Sequence, residues 1–334
     1  MILEWILDAV LLTLPIGTTI GTLRGIDLHR QANGQQPLFS PPGGKEHGST
    51  GNNGEGNSST IISGDNGITV TEYCGRETAI TPSSVGAQYT FNPNQWGWKE
   101  GDPGSLCMNI TTFNNKTYAT PTTAPEFSVI WQYPAGPKTQ PVHAFPNTQL
   151  ESTVMPIKIQ DLQHINIEMQ WTYGLGSEPA VLTNVSDLIR YDVNTNVAID
   201  MFLDDAQENS ESSTQAKFEI MVWFASWGNN TFPIGFGNTT VSTYVLNGTT
   251  FNLYVGQNSN KQEVFTWLAT NQTETFVGDI TPLLSEITTM GNTSYPTGST
   301  YLGHLSLGSE AFSANTSVIF TVPTLSLDIQ GQPK

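Results

Sequence analysis

The chain has 334 residues, with 12 Lys and Arg against 29 Asp and Glu for a formal net charge of −17, and that field argues against a phosphate backbone or an anionic lipid surface as partner. Its two cysteines, Cys74 and Cys107, are too few for a multi-bridge scaffold or a four-thiolate zinc site, which leaves one disulfide or two free thiols. His29, His47, His143, His164 and His304 show no metal-hydrolase spacing, and no nucleotide-binding loop or serine-hydrolase elbow stands in a usable context, so neither a metal nor a cofactor is expected and an enzyme built here has to work with carboxylates.

In chain order, residues 9–23 form an apolar stretch of signal-peptide length, interrupted by Pro15 and Gly17 and preceded by Glu4 and Asp8 rather than by basic residues. Residues 1–30 read as an atypical signal peptide, with a short signal anchor or a misplaced gene start as alternatives. Residues 31–66 carry few large apolar side chains and read as a flexible Gly/Asn/Ser linker, because they cannot bury enough surface to offset ordering entropy. Acceptor triplets N-x-[ST] occur at Asn57, Asn109, Asn115, Asn184, Asn229, Asn238, Asn247, Asn271, Asn292 and Asn315. They point to an extracellular glycoprotein, against the alternative of a β protein that is merely rich in Asn, Ser and Thr.

From residue 67 to 334 short alternating runs are separated by Gly, Pro, Asn and Ser clusters, which is an all-β pattern in one domain. Strands are expected at Ser128 to Tyr133, Ile165 to Tyr173, Asn196 to Leu203, Lys217 to Ala225, Thr249 to Val255, Glu263 to Ala269, Leu302 to Leu307 and Val318 to Asp328. One short helix is expected at Ile280 to Met290, where Ile280, Leu283, Leu284 and Ile287 recur at helical spacing behind Asp279 or Thr281 as a cap. A two-sheet sandwich or jelly roll with a curved sheet suits this span.

Alternate residues of a strand face opposite sides. Phe218, Ile220, Val222 and Phe224 form an unbroken apolar face, leaving Glu219, Met221 and Trp223 on the other. A carboxylate flanked by a thioether and an indole suits a ligand groove, where flat apolar surface is combined with a few polar groups. Val197, Ile199, Met201 and Leu203 likewise point inward and leave Asp200 outward, while His304, Ser306, Gly308 and Glu310 share a side if their strand stays regular. For each carboxylate the alternative is an ordinary solvent-facing side chain.

Phe218-Glu219-Ile220-Met221-Val222-Trp223, the Pro233-Ile234-Gly235 segment, Gly308-Ser309-Glu310-Ala311-Phe312, Asn196-Val197-Ala198-Ile199-Asp200 and Asn94-Gln95-Trp96-Gly97 resemble, in this order of argument, motifs of glycoside hydrolase family 12. The resemblance runs from about Cys74 to Ile329. It departs from the family at Ser309 and Ala311, where Gly-Thr-Glu-Pro-Phe is common. It implies a concanavalin-like β-jelly roll of two antiparallel sheets with a concave cleft, an endo-β-1,4-glucanase activity, and a Cys74–Cys107 disulfide whose loop stabilises by about 3 kcal/mol. Glu219 is then the nucleophile, Glu310 the acid/base and Asp200 an auxiliary group hydrogen-bonded to the nucleophile. Asn94 and Trp96 form a sugar platform, Met221 and Trp223 wall the site, and Trp131, Trp227 and His304 are further substrate-binding candidates.

The implied double displacement retains anomeric configuration and calls for the two glutamate carboxyls about 5–5.5 Å apart. Clustered carboxylates keep a proton between them, from which activity on the acid side of neutral is expected. Tyr301-Leu302-Gly303-His304 and the run from Asn196 to Asp204 resemble fungal xyloglucan-specific members. The expected substrate is therefore xyloglucan, acted on by a secreted or N-terminally anchored monomer, with no nucleic-acid partner. Unbranched glucan, a family 11 xylanase and a non-catalytic carbohydrate-binding sandwich are the alternatives.

Overall fold

The computed structural model describes residues 59–332 apart from 66, 77 and 78. Its strands are β1 (Ser59–Asp65), β2 (Ile68–Tyr73), β3 (Gln88–Asn92), β4 (Ser105–Phe113), β5 (Phe127–Gln132), β6 (Asn147–Glu151), β7 (Ile157–Lys158), β8 (Leu162–Leu175), β9 (Asn194–Asp204), β10 (Phe218–Trp227), β11 (Ser242–Leu246), β12 (Thr249–Gln257), β13 (Glu263–Ala269), β14 (Thr275–Asp279), β15 (Tyr301–Gly308), β16 (Ala311–Ser313) and β17 (Val318–Gly331). All eight expected strands are present. A seven-stranded sheet, in the order β1-β2-β4-β5-β17-β8-β14, stacks on a ten-stranded sheet ordered β11-β12-β13-β10-β9-β15-β6-β3, to which β16 and β7 add through β9 and β15.

The jelly-roll sandwich is as expected, with three refinements. The ten-stranded sheet is not wholly antiparallel, because β13 runs parallel to β10. After β10 the chain forms the β11–β12 hairpin at the sheet edge and returns between that hairpin and β10, a connection long enough for a parallel pair. The expected helix is Thr281–Thr289, and Asp279 Oδ1 accepts from the Thr281 N–H at 2.9 Å. Two shorter helices, Val185–Arg190 and Gln207–Ser210, add a turn or so each, too little to leave a periodic pattern. Finally, the domain begins before residue 67, since Ser59–Asp65 pairs antiparallel with β2. The rest of the expected linker and the segment 1–30 lie outside the described residues.

The core is the dry space between the sheets. Trp131, Trp171 and Trp267, with Phe218, Phe224, Phe251 and Phe265, are fully buried there, each side chain contributing about 1.5–3 kcal/mol of burial. Cys74 and Cys107 are joined in a disulfide beside the β2–β4 pair. Among the described residues no helix is long and apolar enough to cross a membrane.

Strand register fixes what the outer face of the ten-stranded sheet displays. Tyr254 lies opposite Thr266, which is opposite Met221, then Asp200, Ser306, Gln149 and Thr90 in one row across six strand pairings. The adjoining row carries Gly256, Val264, Glu219, Phe202 and His304. Polar and aromatic side chains therefore occupy the face opposite the core, in the middle of the sheet and across its width. At Trp223/Ala225 the register of β10 shifts against β9. Past this bulge the alternation inverts, so that Ser226 takes the outer face opposite Asn196 and Trp227 turns inward opposite Thr195.

Candidate active site

Glu219 and Asp200 are diagonal neighbours on β10 and β9, because Asp200 faces Met221 and Phe202 faces Glu219. Glu310 follows β15 and reaches the same ground by a different route. Its backbone N–H donates to Asn196 Oδ1 at 2.8 Å, and Asn196 Nδ2 donates to Glu310 Oε2 at 2.5 Å. Beneath it the Ser309 hydroxyl donates to the Asn196 carbonyl at 2.6 Å, and the Thr195 hydroxyl donates to the Glu310 carbonyl at 2.7 Å. The Tyr173 hydroxyl joins both Ser309 and Thr195. Ser309, where the resemblance has Thr, thus keeps a hydroxyl in a buried network that holds the segment.

The three carboxyl groups feel one another's charge. Burial raises Glu310 to about 8, and the Glu219 charge adds to the rise while the Asn196 bond opposes it. Burial raises Glu219 to about 7, opposed by a hydrogen bond from Asn258 Nδ2 at 3.0 Å. Asp200 is pushed well above the usual carboxylate range by burial and by the charges of Glu219 and Glu310. It is 4% exposed, and its Oδ1 is buried without a hydrogen-bond partner.

The expected Asp200–Glu219 hydrogen bond is absent among the described residues, and their coupling is electrostatic. Burial and the two neighbouring charges favour the protonated form of Asp200, in which it can donate. In all three groups burial outweighs the hydrogen-bond donors, so each carboxyl is raised from its ordinary value.

Asn258 was not visible as a site residue in the sequence. It lies in the β12–β13 turn, braced by Gln262: its Nδ2 donates to Gln262 Oε1 at 2.8 Å and its Oδ1 accepts from the Gln262 N–H at 3.1 Å. Its bond to Glu219 favours the ionised form. Asn258→Ala therefore raises the Glu219 pKa, and the acid limb of the kcat/KM profile moves to higher pH; rate measurements between pH 5 and 9 check this, an unmoved limb contradicting it. Asn196 stands four residues before Asp200, on the same face of a regular strand, so alternation alone could have found it.

The remaining candidates divide. Trp96 is 52% exposed because its neighbours are pinned. The Gln95 side chain is buried, accepting from the Tyr133 hydroxyl at 2.7 Å and donating to the Gly75 carbonyl at 2.6 Å. A Cβ on Gly97 would stand 2.1 Å from the Val142 carbonyl oxygen, so only glycine fits there. Asn94 is half-buried, with φ 44° at the bend.

Met221 and Trp223 do lie on the outer face, but as a buried floor with Ala198, the indole N–H donating to Met221 Sδ at 3.4 Å. His304 is half-buried on the outer face, edge-on to Phe202 and 3.2 Å from the Ser306 hydroxyl. Burial lowers it to about 4, leaving it neutral.

Trp131 and Trp227 are corrected to core residues. Trp131 is 1% exposed in the opposite sheet and donates its indole N–H to Tyr173 at 2.8 Å. Trp227 is 7% exposed, turned inward by the bulge against Trp171 and Tyr173. Neither presents a free ring to a ligand.

Comparison with known proteins gives the family. The family model for glycosyl hydrolase family 12 matches residues 87–330. Xyloglucan-specific endo-beta-1,4-glucanase A of Emericella nidulans is 26% identical over 258 residues, covering 77% of this chain and 91% of that protein. The Aspergillus niger protein of the same name is 27% identical over 244 residues, covering 73% and 85%. Among solved structures, the family GH12 endoglucanase 3 of Trichoderma harzianum superposes with a TM-score of 0.60 at 20% identity, covering 80% of this chain and all of that one. A family 12 xyloglucanase from Bacillus licheniformis gives 0.57 at 15%, covering 78% of this chain and 100% of its own. With the matched span taking in the strands from β3 onward and all three carboxylates, the chain belongs to glycosyl hydrolase family 12.

Proposed function

We propose that this protein is a retaining endo-β-1,4-glucanase that hydrolyses internal bonds of xyloglucan, with Glu219 as nucleophile, Glu310 as acid/base and Asp200 as the auxiliary acid. The observation that carries the reading is the gathering of three carboxyl groups from separate stretches of chain on one sheet face, by strand register and by the bonds of Glu310 to Asn196. Two of them are held by amide donors from Asn196 and Asn258.

In the first step Glu219 attacks the anomeric carbon, the glycosidic C–O bond breaks, and Glu310 gives its proton to the departing oxygen. A glycosyl ester on Glu219 results. In the second step Glu310 takes a proton from water, the water oxygen attacks the same carbon, and Glu219 leaves as carboxylate. The environment suits these roles. The Asn258 donor favours charge on Glu219, while burial and the Glu219 charge keep the proton on Glu310. As the ester forms, the Glu219 charge is lost and the Glu310 pKa falls, turning an acid into a base. Trp96, exposed at the β3 side of the sheet, serves as a sugar platform beside Asn94.

The xyloglucan preference rests on the likeness to proteins named for that substrate, and the second reading, an unbranched glucan, on the likeness to endoglucanases. Side-by-side digestion of tamarind xyloglucan and carboxymethylcellulose separates them. Faster reducing-sugar release from xyloglucan is the expected result, and faster release from carboxymethylcellulose reverses the preference. Release from neither favours a non-catalytic carbohydrate-binding role. We place the protein outside the cell on the ten acceptor triplets and the apolar stretch of signal-peptide length at residues 9–23.

A further inference from the structure

The loop between β10 and β11 carries three exposed apolar side chains, Phe232, Ile234 and Phe236. The Phe232 and Phe236 rings stack with centroids 4.7 Å apart and planes 19° from parallel, and Phe236 continues onto Tyr254 at 5.3 Å. Phe232 and Phe236 remain 49% and 47% exposed. A stacked pair of exposed phenyl rings is an apolar patch that calls for a partner.

The loop is fixed from below. Thr231 is buried, and its carbonyl accepts from the Ser226 hydroxyl at 3.0 Å. The Phe236 N–H donates to the Pro233 carbonyl at 2.9 Å, closing a turn in which Gly235 has φ +88°. A Cβ on Gly235 would meet the Val255 carbonyl oxygen at 2.3 Å, and one on Gly256 would meet Ile234 Cγ2 at 2.6 Å. The loop is thus seated on β12, and Ile234 lies over the outer face at Gly256. Rings held this way lose little freedom when something binds them.

Their position says what binds. Tyr254 belongs to the row that continues through Thr266 and Met221 to Asp200. It stands two strand spacings from β10, about 10 Å at 4.7–4.9 Å each. Trp96 is exposed in the segment that follows β3, the strand at the other edge of the same sheet. A glucan lying across the strands from the carboxylates toward β12 reaches the phenyl pair. Neither phenyl ring offers a hydrogen bond, so the partner must present a flat C–H face, as a β-linked pyranose does.

Resting on the proposed glucanase reading, we propose that Phe232 and Phe236, backed by Tyr254, form a distal subsite that stacks a glycosyl unit of the bound glucan. The affinity of the cleft therefore grows with chain length through this contact. Titration calorimetry on full-length Glu219→Gln protein, which leaves ligands intact, measures the affinities of cellotriose and cellohexaose. Adding Phe232→Ala and Phe236→Ala is expected to cut the hexaose-to-triose affinity ratio about tenfold, the worth of an aromatic contact. Replacing both by Leu, which keeps apolar bulk without a flat ring, is expected to do the same, and Phe236→Trp to restore it. Val277→Ala, an exposed change on β14 of the other sheet, leaves the ratio alone. A ratio unaltered in the Ala and Leu variants, with melting curves showing them folded, overturns the subsite alone. Parent protein that binds neither oligosaccharide overturns the glucanase reading with it.

Discussion

Glu219→Gln is expected to lower hydrolysis of xyloglucan by more than about 10⁴-fold, because an amide cannot form the glycosyl ester. The substitution keeps shape and keeps an oxygen for Asn258 Nδ2, so the loss is chemical. Stability supplies the control. Burial raises the Glu219 pKa from 4.5 to about 7, so between those values the folded state binds the proton more tightly than the unfolded chain. The contribution is fully present below about pH 4.5 and is lost as pH rises through 7. Gln does not titrate. The variant's melting temperature at pH 8 is therefore expected to equal or exceed that of the wild type, and a lower one would mean that fold rather than chemistry had been lost.

Glu310→Gln is the second large effect. Hydrolysis of the polysaccharide is expected to fall by about 10²–10⁴-fold, the usual worth of a positioned proton donor. A 2,4-dinitrophenyl β-cellobioside, whose leaving group needs no proton, is expected to lose far less in the first step. The pH profile gives an independent reading. On the proposed roles, wild-type kcat/KM is expected to need Glu219 ionised and Glu310 protonated, and so to show an acid limb and an alkaline limb, both above the usual carboxylate range. In Glu310→Gln the alkaline limb disappears. Survival of that limb, or equal loss on both substrates, would remove Glu310 from the role of acid.

How far the sequence reveals this site depends on how local each determinant is. Glu219 and Asp200 announce themselves through strand alternation, since a core face of Phe218, Ile220 and Val222 or of Val197, Ile199 and Met201 forces the intervening side chains outward. The same rule misplaces any residue beyond a bulge. Trp227 shares the parity of Glu219, yet turns inward because the register slips at Trp223/Ala225. Trp131 fails for a different reason: its strand is equally well patterned but lies in the other sheet, and nothing local says which sheet a strand joins.

Asn258 is illegible because its partner is 39 residues away and its neighbourhood reads only as a turn. Nine of the seventeen strands among the described residues lie outside the expected set; of these, β3, β6 and β11 are short, and their outer faces carry Thr90, Gln149 and Thr243 in place of an apolar run. They are polar because they continue the outer face of the sheet that holds the carboxylates.

The central claim is that Glu219 becomes covalently glycosylated during turnover. Incubation with 2-deoxy-2-fluoro-β-cellobiosyl fluoride followed by peptic digestion and mass spectrometry tests it directly. The account predicts one glycosyl adduct per molecule, on the peptide that contains Glu219. An adduct on Asp200 or Glu310, or turnover of natural substrate to the α-anomer with no adduct formed, would contradict it.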